Sequence, residues 1–468
     1  MKLVLSRDEN ISKTFKEAVL NPAGSGLYCP KILPKFKGED YKDLNYYDFA
    51  LKLIESFEFG FEELFKKALK SYKSFDDASE PVKFFKIKEN LYINELYHGP
   101  TRAFKDMALQ PFGVLLSEFA KEKNFLVLCA TSGDTGPATL KALENAKNIK
   151  AACIYPFNGT SKIQALQMTS LRAKNLKSFA IDSDFDVAQK ALKELLNDKD
   201  FKKTLESENL ELTAANSINF ARILFQIIYH YYACVKIGKK FDIIVPSGNF
   251  GDALGAYYAK KMGANIGKIK IASNANHILS DFFTKGEYDL RGRKLIKTIS
   301  PAMDILISSN IERLIFDKFG DQRTKELFFE LEKNQHFSLE KSELEALQID
   351  FEADFSTDIE TRDFIKEFAS TKIIDPHTAT CFKLLPSELK TPVLITSTAE
   401  WTKFSPSIYE AIFCKKCEDE KEAMIELAEL YKIGIKKELL ELFKAENEKV
   451  QVFKPSELKN SILEWIKQ

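Results

Sequence analysis

Phe125-Leu-Val-Leu-Cys-Ala-Thr-Ser-Gly-Asp-Thr-Gly136 joins an unbroken apolar run to a loop of small polar residues and glycines. An apolar run bounded by turn residues suits a strand buried on both faces, and such strands belong to parallel sheets covered by helices. The pattern recurs along the chain. Ala151-Ala-Cys-Ile-Tyr155, Phe241-Asp-Ile-Ile-Val245, Lys268-Ile-Lys-Ile271 and Pro392-Val-Leu-Ile-Thr-Ser397 read as further strands, with helices predicted from Pro137 and from Asp252. The expected fold class is α/β, with parallel sheets covered by helices and strands recruited from distant parts of the sequence.

Outward from this centre the composition changes. Residues 1–85 place aromatic and charged residues at helical spacing between Tyr46 and Lys70 and are expected to form a helical N-terminal domain. A large α/β domain is expected over 86–115 and 216–400. Within it, about 312–368 is dense in Glu, Lys and Phe and reads as a helical insertion with solvated faces. A small mobile α/β domain is expected over 116–215, and a C-terminal helical segment over 401–468.

The chain has 468 residues, and its 68 Lys+Arg balance 68 Asp+Glu. With no net field to attract phosphate backbones or anionic lipid, neither nucleic acid nor membrane is an expected partner. The start, MKLVLSRDEN, lacks the apolar core of a signal peptide, and the richest apolar stretch, Arg222 to Val235, is interrupted by Gln226 and His230. A cytoplasmic location is expected. The seven cysteines read as reduced thiols, and Cys414-Lys-Lys-Cys417 has no further ligands spaced for zinc, so no metal is expected.

Glycine is scarce, yet two loops that follow predicted strands hold pairs of it: Thr131-Ser-Gly-Asp-Thr-Gly136 and Pro246-Ser-Gly-Asn-Phe-Gly251. In open parallel sheets, ligands bind beyond the carboxyl ends of strands, where glycine lets backbone approach an anion and a helix N-terminus receives it. An ordinary strand-to-helix turn uses the same residue types. Neither loop ends in Gly-Lys-Ser/Thr or reads G-x-G-x-x-G, which disfavours nucleoside triphosphates and nicotinamide dinucleotides. In a third segment, His98-Gly-Pro-Thr-Arg-Ala-Phe-Lys-Asp106, Lys105 opens a predicted helix beside Phe104. A helix N-terminus and partial burial both disfavour an ammonium, so Lys105 reads either as an amine nucleophile or as a solvated surface charge.

Together these three motifs resemble the threonine synthase family, pyridoxal phosphate enzymes of the tryptophan-synthase-β fold type, or fold type II. Gly24-Ser-Gly-Leu-Tyr28, Leu33-Pro34, Ala214-Ala-Asn-Ser-Ile-Asn219 and Asp375-Pro-His-Thr378 are similar to further family segments. The resemblance implies that Lys105 carries pyridoxal 5'-phosphate and that Ser247, Gly248, Asn249, Phe250, Gly251 and Asp252 form and brace the loop for its phosphate. Asp252, which would repel a phosphate, is expected to orient loop amides. Thr131, Ser132, Gly133, Asp134 and Thr135 are implied in holding the substrate carboxylate, and Thr398 in bonding the ring nitrogen, with Thr396 and Ser397 as alternatives. The chain departs from the family at Glu400-Trp401-Thr402, ahead of Lys403-Phe404.

The implied reaction converts O-phospho-L-homoserine and water to L-threonine and phosphate, with Lys105, released by the substrate amine, moving protons. Lys162 and Arg102 are candidates for the substrate phosphate by proximity to the loops. Asn216 and Arg222 read as ligands or as a helix cap and a solvated charge, and His98 and His377 as pocket-lining or structural. Two alternatives stay open: a related dehydratase or phospholyase, and a non-catalytic relative that binds a small anion. Oligomeric state is not read from the sequence.

Overall fold

The computed structural model describes residues 1–22, 24–445 and 450–468. In chain order its strands are β1 (Leu3–Leu5), β2 (Asp8–Lys13), β3 (Tyr28–Pro30), β4 (Lys83–Lys88), β5 (Leu91–Glu95), β6 (Asn124–Ala130), β7 (Ile149–Pro156) and β8 (Leu176–Ile181). They continue with β9 (Leu210–Ala214), β10 (Phe241–Pro246), β11 (Ile266–Ser273), β12 (Glu287–Asp289), β13 (His336–Ser338), β14 (Phe351–Phe355), β15 (Val393–Ser397) and β16 (Val452–Phe453). Two sheets dominate. One is ordered β14-β11-β10-β15-β5-β4, the other β16-β8-β7-β6-β9. Every pair in them is parallel except β4 with β5. The chain has the fold type II α/β architecture, and the apolar runs read from the sequence form the central strands β6, β7, β10, β11 and β15.

Burial explains why those runs were legible. Phe125 to Ala130 and Ile243 to Val245 are almost wholly buried, so each residue faces protein on both sides of its sheet. The helix Phe220–Ile237 packs on the helices Lys105–Phe119 and Gly251–Met262 and is buried along nearly all its length. This is the apolar stretch interrupted by Gln226 and His230. Phe36 and Phe49 pack on its Tyr231, and Tyr46 and Phe49 on its Tyr232, at centroid separations of 5.1–6.0 Å, docking the N-terminal helix Tyr46–Glu55. Much of the phenylalanine load is spent on such aromatic packing.

Several segments are less uniform than their composition suggests. The N-terminal 85 residues carry helices Phe15–Leu20, Tyr46–Glu55 and Glu62–Leu69, and also the antiparallel sheet β2-β1-β3 and the start of β4. The stretch 312–368, expected to be a helical insertion, contributes β14 to the edge of the large sheet beside β11. Its sequence, Phe351-Glu-Ala-Asp-Phe355, is charged because an edge strand is half solvated. The C-terminal segment is likewise not wholly helical, since β16 extends the smaller sheet along β8; residues 446–449 of that segment lie outside those described. All seven cysteines are free thiols. Among the described residues, no helix is long and apolar enough to cross a membrane, and no three His, Cys, Asp or Glu side chains are grouped as a metal would require.

Candidate active site

The carboxyl ends of β6 and β10 open onto one cavity of about 760 Å³ including its mouth. Both glycine loops reach it. Lys105, Ser132, Asp134, Thr135, Ser247 to Asp252 and Thr398 all line it, although they are drawn from positions 105 to 398 of the chain.

Lys105 begins the helix Lys105–Phe119. The turn before it is built from Asp106, whose carboxylate accepts from the Thr101 amide at 2.7 Å, the Thr101 hydroxyl at 2.9 Å and Gln110 Nε2 at 2.9 Å. Gly99 is required there, because a Cβ would sit 2.5–2.8 Å from the Asp106 side chain. Burial pushes the Asp106 carboxyl up despite these bonds. Lys105 Nζ lies 4.4 Å from the centroid of the Phe104 ring and 3.4 Å from Asp134 Oδ2. Burial, which disfavours the ammonium, pulls its pKa below the usual lysine range; Asp134 opposes this, while Arg222 and Lys403 add to it.

Asp134 is the most heavily engaged side chain of its loop. Its Oδ1 accepts from Lys403 Nζ at 2.7 Å and from Gln164 Nε2 at 2.8 Å. Burial alone would raise its pKa, but the ammonium of Lys403, then that of Lys105, outweighs it and holds the carboxyl below the usual range. Thr131 and Gly133 do not line the cavity: the Thr131 hydroxyl accepts the Gly133 amide at 2.9 Å and shapes the turn that presents Ser132, Asp134 and Thr135. Gly133 stands at φ +142°, where a side chain would also drive into Gln164.

The second loop is held from behind. Phe250 adopts a left-handed conformation at φ +59°, costing a non-glycine residue roughly 1–2 kcal/mol, and its ring is fixed against Phe283 and Phe351 at 5.5 and 5.8 Å. Asn310 donates to the Asn249 carbonyl through its amide at 3.2 Å and Nδ2 at 3.0 Å, and the Ser308 hydroxyl donates to the Gly248 carbonyl at 2.7 Å. With its carbonyls turned outward to these donors, the loop leads into the first turn of the helix Gly251–Met262, whose N–H groups lack intrahelical acceptors. Ser247 Oγ is buried without a partner among the described residues. Asp252 differs from expectation: its Oδ1 accepts from Tyr229 at 2.5 Å and His230 Nε2 at 2.6 Å, so it ties the loop's helix to Phe220–Ile237 rather than orienting loop amides. A phosphate dianion matches such a helix start and hydroxyl, and an aldehyde matches a buried, poorly protonated lysine. The residues present therefore fit pyridoxal phosphate.

Thr398 lines the cavity, whereas Ser397 Oγ is 3.0 Å from Thr378 Oγ1 and Thr396 is fully buried outside the lining. The departure at Glu400 also has a physical role. Its carboxylate receives Arg102 Nη2 at 2.5 Å, Asp76 receives Nη1 at 2.9 Å, and the Glu400 amide donates to the Arg102 carbonyl at 3.1 Å. These bonds hold Arg102 at φ +61°. Burial opposes the Arg102 charge, but Glu400, then Asp76, pushes its pKa up. Arg102 is thus bound on two sides and outside the lining. Lys162 is outside it too: its amide donates to Glu420 at 2.8 Å and its Nζ lies 5.8 Å from the Phe443 centroid.

Three side chains not given a fixed role by the sequence complete the site. Arg222, in the first turn of its helix, lines the cavity; Nη1 donates to the Ala215 carbonyl at 3.2 Å, Nε has no partner, and no carboxylate pairs with it among the described residues. Burial pushes its pKa down to about 10. Asn216 exchanges hydrogen bonds with Ala130 at 3.1 and 3.2 Å, fixing the end of β6. His377 faces the cavity, with Nδ1 2.8 Å from Asp375 and Nε2 accepting the Ala302 amide at 3.0 Å. His98, bonded to Asp76 and Glu95, is structural.

Residues 81–332 match the family described as "Pyridoxal-phosphate dependent enzyme". Threonine synthase of Saccharomyces cerevisiae is 34% identical over 411 residues, covering 78% of this chain and 79% of that protein. Human "Threonine synthase-like 1" is 36% identical over 453 residues, 90% of this chain; the chain spans 61% of that relative's length. The crystal structure of PLP-bound threonine synthase from Brucella melitensis superposes with a TM-score of 0.86 at 30% identity, covering 100% of both chains.

Proposed function

Because the chain belongs to the threonine synthase family and its cofactor is pyridoxal phosphate, we propose that it converts O-phospho-L-homoserine and water to L-threonine and phosphate, a carbon–oxygen lyase reaction of threonine biosynthesis. The observation that carries this reading is the convergence of a buried amine, an anion-receiving loop and a second, unpaired buried cation on one cavity. Bound pyridoxal phosphate supplies an electron sink that makes hydrogens near the substrate amine acidic. Lys105 Nζ would hold the cofactor, and the same buried amine would take the proton from the substrate Cα. Ser247 and the amides of Gly248 to Gly251 hold the cofactor phosphate, braced by Asp252. Thr398 offers the ring nitrogen a hydroxyl rather than an acid.

The substrate brings a carboxylate and a phosphate of its own. The loop carrying Ser132 and Thr135 receives the carboxylate, with Thr131 and Gly133 shaping it. Arg222 meets the phosphate: a buried guanidinium without a carboxylate is costly until an anion arrives. Arg102, bound by Asp76 and Glu400, and Lys162, outside the lining, are not proposed for it. Loop 131–136 rides on the smaller sheet and the phosphate loop on the larger, so closure of 116–215 toward the large domain would exclude water during proton removal and admit it afterwards.

Phosphate and threonine should appear in equal amounts from phosphohomoserine. Release of phosphate with a keto acid in place of threonine would instead assign a phospholyase, and keto-acid formation from threonine a dehydratase.

A further inference from the structure

Lys403 has no part in the family's implied chemistry, yet it is a fully buried lysine in the short turn Trp401–Phe404. Its Nζ makes two contacts. It lies 2.7 Å from Asp134 Oδ1, and it donates at 2.9 Å to the carbonyl of Thr101, in the turn that ends at Lys105. Asp134 is therefore one carboxylate between two lysines, held closely by Lys403 and distantly, at 3.4 Å, by Lys105. Gln164 adds a third donor to the Lys403 side.

A carboxylate alone with Lys105 would stabilise its ammonium and suppress its nucleophilicity. We propose that Lys403 is a positioning residue: its ammonium draws the Asp134 carboxylate away from Lys105, anchors the turn that carries Lys105, and so leaves the Lys105 amine free to attack an aldehyde. The inference rests on the reading of Lys105 as the cofactor-bearing amine. The charged groups facing Lys105 are Asp134 from the β6 loop, Arg222 from the helix Phe220–Ile237 and Lys403 from the turn 401–404; Asp106 also faces Lys403, and His377 faces Asp134. Losing Lys403 removes one of two repelling cations and returns the whole of Asp134 to Lys105. Both changes favour the ammonium.

The test is uptake of pyridoxal phosphate by the full chain, stripped of cofactor with hydroxylamine, followed by visible absorbance across a pH series. Lys403→Met and Lys403→Gln should move the midpoint of the rate profile up by at least about one pH unit, a roughly tenfold slower uptake below it. Lys403→Arg should restore the original profile. The glutamine variant keeps a hydrogen-bond donor without charge, so it remains readable if the methionine variant does not fold. A folded glutamine or methionine variant with an unmoved midpoint would overturn the role of Lys403. If the parent chain takes up no pyridoxal phosphate, the reading of Lys105 itself fails instead.

Discussion

Replacing Lys105 with alanine is expected to leave a folded protein whose turnover has dropped by at least about 10³-fold, the scale on which loss of a positioned proton-transfer group is felt. The fold survives because the substitution leaves Asp134 with Lys403 at 2.7 Å and Gln164 at 2.8 Å, so no buried carboxylate is stranded. It also removes an amine that burial already disfavours in its charged form. Thermal unfolding, phosphate release and visible absorbance of the variant check the three parts together: an unfolding midpoint near the parent's, turnover lowered on that scale and no covalent chromophore. Ordinary turnover in the variant would dismiss the assignment.

Arg222→Met is expected to separate function from stability. The guanidinium in the folded chain has a pKa of about 10, below its ordinary 12.5. The folded state therefore holds this proton less tightly than the unfolded state. The resulting penalty, about 3 kcal/mol, is present at every pH below about 10 and fades only as pH rises toward 12.5. Methionine fills similar space without the charge, so the free protein should gain about 1–3 kcal/mol, read as a higher denaturant midpoint. The same variant should lose kcat/KM by roughly 10²-fold or more, the equivalent of one or two charge-assisted hydrogen bonds at about 1.5–3 kcal/mol each. A variant that is both less stable and fully active would place Arg222 in the scaffold and outside substrate binding.

Legibility in the sequence followed the range of the interactions involved. Strands β6, β7, β10, β11 and β15 were readable because burial on both faces leaves runs dense in apolar residues, even where Asp242 interrupts β10 and Lys268 and Lys270 interrupt β11. The sequences of β8 (Leu176-Lys-Ser-Phe-Ala-Ile181), β9 and β14 mix polar residues into that run, and β9 and β14 are edge strands. The glycine loops and Lys105 were legible because turn chemistry and a helix start are local features. Lys403 was not, since its meaning lies in contacts with Thr101 and Asp134, separated from it by most of the chain. Arg222 did leave a signal, a cation in the first turn of an apolar helix where the dipole disfavours it, but only the absence of a carboxylate partner among the described residues gives that signal weight. Lys162 and Arg102 stand outside the lining for the opposite reason. Nearness in sequence to a site loop says nothing of the partners, Glu420 and Phe443 for one and Asp76 and Glu400 for the other, that the fold brings to them.

Reduction of the pyridoxal-phosphate-loaded chain with borohydride, followed by peptide mapping, addresses the central assignment most directly. The cofactor should be found fixed to the peptide containing Lys105 and to no other lysine; its recovery on Lys403 or on surface lysines alone would contradict the account.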